Sequence, residues 1–200
     1  RVNPGLTTTT GSFSTAIPGV SVSDIFVQGT NVFVATNMGV YVSNDNGASF
    51  TQFTVGNGLP SNNITTIYFN NGILYAGTDN GIGISTNGGE NWVFFNNSNS
   101  NLPDDPIRDI AVANNLIYIA TSKGVSIANL GGDDFSTFVV GLENPSVFFL
   151  IAEATDPFTT NLWVASLGGV GSAIFTLTPN IQSGPTQTTY NLASVTAADS

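Results

Sequence analysis

The chain has 200 residues, 41% of them hydrophobic, and a domain of that length buries about 70% of the surface its unfolded form exposes, so it can pack without metal or disulfide. Cysteine and histidine are both absent, which excludes thiolate chemistry, Ser-His-Asp triads and metals held by His or Cys; no cofactor and no metal is expected. The chain is acidic, with 13 acidic residues against Arg1, Arg108 and Lys123, so a nucleic-acid partner or an anionic membrane surface finds no basic patch, and the longest apolar run, VFFLIA at 147–152, is too short to insert across a bilayer.

Taken in chain order, residues 1–20 hold GSFSTAIPG, which reads as an outer strand followed by a linker. A first unit over 21–62 then offers DIFV from Asp24, VFVATNMG, the turn GVYVSNDNGASF from Gly39, and SFTQFTV. The second unit, 63–106, repeats this with TIYF from Thr66, LYAGTDNG, GIGISTNGGENW from Gly81 and NWVFFNN; the third, 107–146, with DIAV from Asp109, IYIATSKG, GVSIANLGGDDF from Gly124 and DFSTFVV. A degenerate fourth unit, 147–200, has FLIA from Phe149, WVASLGG at 163–169, and TQTTYNLASVTAADS as a last strand. The copies recur at 42 and 43 residues without gaps, and the linkers keep register: Ile17 to Ile25, Leu59 to Ile67, Leu102 to Ile110 and Leu142 to Leu150 each span eight positions.

Short runs rich in Val, Ile, Phe and Tyr, punctuated by Gly and Asn, predict strands and no helix. Four strands in about 42 residues is the period of a propeller blade. The fold class expected is therefore all-β, a β-propeller of four-stranded antiparallel blades: four repeats plus one surplus N-terminal strand. That strand has three possible fates: a strap closing a four-bladed ring, addition to a blade of a neighbouring subunit, or a place in a larger ring.

The octet SNDNGASF resembles the S-x-D-x-G-x-[ST]-[WF] Asp-box of the sialidase-like, or BNR-repeat, propellers. Ser43, Asp45, Gly47, Ser49 and Phe50 match it; the second copy keeps Ser85, Gly89 and Trp92 with Asn87 in place of Asp, and the third keeps Gly132 and Phe135 with Leu130 there. The resemblance implies a structural device, in which the short polar side chain accepts turn N–H groups and the aromatic packs into the blade. Sialidase activity is not implied, because the three substrate-binding arginines of that family are missing.

Asp24 and Asp109 occupy equivalent positions at the start of inner strands; they could form an opposed carboxylate pair, or simply bond neighbouring backbone, the reading preferred here. Asp104 with Asp105 and Asp133 with Asp134 are read as solvated loop acids in preference to calcium ligands. Asn63 and Asn96 satisfy the glycosylation pattern N-x-[ST]. The expectation for the whole is a non-enzymatic extracellular or cell-surface module whose partner is protein, itself included, assembling through its terminal strand into a filament or layer. The alternative is a propeller that binds or cleaves glycans.

Overall fold

The computed structural model describes residues 17–132, 135–138, 144–180 and 189–197, with side chains as far as Val170. Four antiparallel sheets of four strands follow one another, each with its strands in chain order. Blade 1 comprises β1 (Val22–Gln28), β2 (Asn31–Thr36), β3 (Gly39–Ser43) and β4 (Thr51–Phe53); blade 2 comprises β5 (Ile64–Asn70), β6 (Ile73–Thr78), β7 (Gly81–Ser85) and β8 (Val93–Phe95). Blade 3 holds β9 (Asp109–Ala113), β10 (Leu116–Thr121), β11 (Gly124–Asn129) and β12 (Ser136–Phe138), and blade 4 holds β13 (Val147–Asp156), β14 (Thr159–Ser166), β15 (Gly169–Asn180) and β16 (Thr189–Ala197). Among the described residues the one helical piece is a 3-10 turn, Val55–Asn57, in the linker after β4.

The inner strands β1, β5, β9 and β13 pack in succession, so the blades lie face to face along an arc. A sheet covered on both faces needs apolar side chains at odd and even positions alike. This is why β7 (GIGIS) and β10 (LIYIAT) lack the polar alternation of a one-sided sheet, each carrying a serine or threonine only at its end, and are almost wholly buried. The interior is correspondingly divided into three clusters, one per joint. Phe33, Val40, Leu59, Ile67, Leu74 and Trp92 fill the first, Tyr75, Ile82, Leu102, Ile107, Ile117 and Phe135 the second, and Tyr118, Val125, Val147, Leu150 and Leu162 the third. The linker leucines Leu59 and Leu102 thus sit in joints, as their eight-residue register suggests; Leu142 lies outside the described residues.

Each turn between the second and third strands is built alike. Gly39, Gly81, Gly124 and Gly169 have φ of 112°, 103°, 127° and 124°, a region closed to most side chains, and a Cβ on Gly39 or Gly81 would also collide with the carbonyl of Phe53 or Phe95. Three residues upstream, the buried Thr36, Thr78 and Thr121 hydroxyls donate to the carbonyls of Gly39, Gly81 and Gly124 at 2.7, 2.9 and 2.9 Å. Each hydroxyl also accepts the N–H two positions on, from Met38, Asn80 and Lys123.

The outer edge of blade 4 is occupied by β16. A strap formed by the N-terminal strand therefore has no vacant outer place on that blade, and residues 1–16 themselves lie outside the described residues.

Candidate functional site

Two features of the repeat are candidates for function: the octet turns between third and fourth strands, and the faces that the first and last blades turn outward. In the first octet the buried Ser43 Oγ donates to Asp45 Oδ1 (2.7 Å) and accepts from the N–H groups of Gly47 (2.8 Å) and Asp45 (3.3 Å). Asp45 Oδ1 accepts the Ser49 N–H at 2.9 Å, and its Oδ2 accepts the Ser49 hydroxyl at 2.6 Å. These donors, the Ser49 hydroxyl first, hold the Asp45 carboxyl down at about 2, well below the usual carboxylate range.

The second octet repeats the pattern with an amide. Ser85 Oγ donates to Asn87 Oδ1 at 2.9 Å and accepts from Gly89 N–H at 2.9 Å, while Asn87 Oδ1 accepts from Asn91 N–H at 3.0 Å. In the third octet the polar position is Leu130, whose side chain joins the second joint and whose carbonyl accepts the Tyr75 hydroxyl at 3.1 Å. The turn is served instead by the preceding residue, Asn129, whose Oδ1 accepts from Gly131 N–H at 3.0 Å and whose carbonyl accepts from Gly132 N–H at 3.0 Å.

The octet glycines also let blades approach. A Cβ on Gly89 would fall 2.6 Å from the Phe53 ring, and one on Gly132 2.7 Å from Ile84 and the Phe95 ring, each across a joint. Trp92 and Phe135 are buried in those joints, and Phe135 meets Phe95 edge-on at 5.7 Å. The side-chain hydrogen bonds of Ser43, Asp45, Ser85 and Asn87 stay within their own turns, so these groups do not converge on a common centre.

Asp24 and Asp109 act across joints. Asp24 Oδ2 accepts from the Ile67 N–H at 3.0 Å and the Thr66 hydroxyl at 3.1 Å, tying β1 to β5; Asp109 Oδ2 accepts from the Leu150 N–H at 2.9 Å, tying β9 to β13. Burial pushes the Asp109 carboxyl up, against the pull of those N–H donors, and the Asp24 charge adds to the rise. Between blades 2 and 3 the Thr65 hydroxyl donates to the Ile107 carbonyl at 2.5 Å. Arg108 reaches from blade 3 to the Ser146 hydroxyl at 2.7 Å and lies over the Phe148 ring at 4.4 Å.

The loop acids are engaged locally: Asp104 accepts from the Ser122 hydroxyl and Asp105 from the Asn97 N–H, while Asp133 and Asp134 lie outside the described residues. Among the described residues no three His, Cys, Asp or Glu side chains gather in a metal-binding group. Asn63 is exposed and donates to Asp79 at 3.0 Å; Asn96 is buried, its Oδ1 capping the Ser98 and Asn99 N–H groups.

The outward faces are chemically unlike the rest of the surface. Phe33, Tyr75 and Tyr118 are equivalent and buried, whereas their counterpart Trp163 is 49% exposed; Val40, Ile82 and Val125 are likewise buried, whereas Val170 is 78% exposed. Phe149, at the place of Asp24 and Asp109, and Ile151 beside it are also exposed on this face of blade 4. At the other end Ile25 is 57% exposed, while its counterparts Ile67, Ile110 and Leu150 are buried; Val22 and Val27 flank it in the open.

Residues 58–80 match the family Two component regulator propeller. No curated protein matches the chain. Among solved structures, the computationally designed Ika4 protein superposes at TM-score 0.59 with 11% identity over 76% of this chain and 89% of its own. PorZ, an essential surface component of the type-IX secretion system of Porphyromonas gingivalis, superposes at 0.61 with 18% identity over 90% of this chain and 23% of its own. The extracellular domain of the hybrid two component system BT3049 of B. thetaiotaomicron superposes at 0.56 with 12% identity, over 85% and 29%. The chain thus spans under a third of the length of the two natural proteins. Together with the four stacked sheets, these likenesses define the class: the fold is that of a β-propeller.

Proposed function

We propose that this chain is a non-enzymatic, extracellular or cell-surface propeller module that works by binding protein, other copies of itself included. The observation that carries the proposal is the pair of apolar end faces. Burying a side chain such as Ile151, Trp163 or Val170 is worth roughly 1.5–3 kcal/mol, and a solvent-facing blade surface forgoes it. The face around Trp163 is the continuation of those that meet the next blade at the three internal joints, and the face around Ile25 continues those that receive it. Head-to-tail packing of two copies therefore repeats a contact the chain already makes three times.

Surface location is supported by a composition rich in Asn, Ser, Thr and Gly with a single lysine, and by the resemblance to surface propellers. In this reading the octets are Asp-boxes of the sialidase-like kind that pin bends and carry no chemistry. The N-terminal segment, residues 1–20, adds as a further strand to the outer edge of a blade in a neighbouring copy, extending the assembly into a filament or layer, and exposed Asn63 is the sequon open to a glycan. A glycan-cleaving reading would draw on Asp24 and Asp109, but their carboxylates are taken up by neighbouring backbone.

The test is light scattering across a concentration series on the wild-type chain, on Ile151→Asp, and on a variant lacking residues 1–20. Concentration-dependent association that Ile151→Asp abolishes is the expected result. A monodisperse wild-type monomer at high concentration defeats the proposal, and an unchanged assembly state in the truncation defeats the strand-exchange part alone.

A further inference from the structure

A second surface of different chemistry lies where the first turns of blades 2, 3 and 4 converge. Asn70 ends β5 and Asn71 follows it, Asn114 and Asn115 follow β9, and Pro157 and Phe158 follow β13; with Val112 and Ala113 they line a groove of about 590 Å³. That volume lies within the range of sites that take small ligands. None of the lining residues is charged.

The groove is held in shape by polar bonds that are not themselves available to a ligand. The Asn114 amide donates to the Asp156 carbonyl (3.0 Å), the Thr159 carbonyl (2.9 Å) and the Thr160 hydroxyl (3.0 Å), which fastens the blade 3 turn to blade 4. The Asp156 carboxylate is turned into its own bend by the Phe158 N–H at 2.8 Å, which leaves the Phe158 ring exposed at the rim. In contrast, the side chains of Asn70, Asn71 and Asn115 hydrogen-bond no described residue. Asn71 and Asn115 take positive φ, of 49° and 59°, which their hairpins explain; Asn70 ends a strand and needs no such account.

We propose that this groove binds an uncharged saccharide. A carboxamide both donates and accepts, matching adjacent hydroxyls, and three free amides beside one exposed aromatic ring offer hydroxyl recognition and a surface for the apolar face of a sugar ring. With no cation in the lining, phosphate and carboxylate ligands find no counter-charge. A peptide would seek a free strand edge or deep apolar pockets, and a groove walled by closed turns supplies neither. Because the walls are tied before any ligand arrives, little ordering opposes binding. This site is separate from the end faces and stands or falls independently of them.

The test is NMR titration of the isotope-labelled chain with a panel of neutral gluco-, manno-, galacto- and xylo-oligosaccharides, with acidic oligosaccharides and a random peptide mixture as further arms. At least one neutral oligosaccharide is expected to give saturable shifts at the amides of Asn70, Asn71 and Asn115. Phe158→Ala and Asn70→Ala are each expected to weaken it about tenfold while leaving the melting temperature unchanged. Absence of saturable shifts with every neutral sugar, tighter binding of the acidic sugars or of peptide at this groove, or sugar binding indifferent to both variants overturns the assignment.

Discussion

At the scale of the residue, Asp45 and Asn87 perform one task with different chemistry. Both accept an N–H four positions ahead, but only Asp45 carries a charge. Its lowered value means that the stabilisation is fully present above the unfolded carboxyl value and is lost as pH falls through about 2. Acid denaturation profiles of the wild type and of Asp45→Asn should accordingly converge at low pH, with the variant showing the shallower acid limb. Asp109 has the opposite sign: its raised value is a cost at neutral pH that protonation relieves.

Trp92 supplies a second residue-level expectation. Its Nε1 is buried without a hydrogen-bond partner among the described residues, and the first and third octets use Phe at this place. Trp92→Phe should then cost less than about 1.5 kcal/mol in chemical denaturation, whereas Trp92→Ala, which leaves a void in the first joint, should cost about 3–5 kcal/mol.

At the scale of the element, the second turn of each blade shows what sequence reading captured and what it passed over. Gly39, Gly81 and Gly124 open the aligned repeats and are visible in the sequence as glycines at one recurring place, because a backbone conformation closed to most side chains leaves a direct mark on residue choice. Thr36, Thr78 and Thr121 carry the same information at a fixed offset, as TNMG, TDNG and TSKG, yet a threonine in a strand reads as ordinary strand material until its burial and both hydrogen bonds are seen. The prediction here is that Thr78→Val, equal in shape, costs about 1–3 kcal/mol by thermal denaturation, because the Asn80 N–H and the Gly81 carbonyl lose their partner.

Other elements were legible to different depths. Strand order within blades 1 to 3 matches the order of the apolar runs in the aligned copies. Asn129 escaped notice because it takes over the task of the lost polar residue from a neighbouring position, which breaks the alignment that would have revealed it. Asn114 was invisible for another reason: its three acceptors lie more than forty residues away, in the next blade.

At the scale of the whole molecule, periodicity reveals that blades stack but not whether the stack meets itself, since the joint residues of blade 4 are as apolar as those of any other. Exposure of Ile25, Trp163 and Val170 is a property of the arc and of no single repeat. If those faces pair between copies, the melting temperature must rise with protein concentration by mass action, a dependence calorimetry can measure and that Ile151→Asp should flatten.

The division of the interior into three separate joints has a further consequence. Among the described residues no core cluster is shared by all four sheets, so cooperativity is transmitted between nearest neighbours, much as in a one-dimensional lattice. Blade 1 and blade 4 each rest on one joint, blades 2 and 3 on two. Amide hydrogen exchange should therefore be slowest in β6 and β10 and fastest at the ends of the arc, so that the molecule frays from its tips inward.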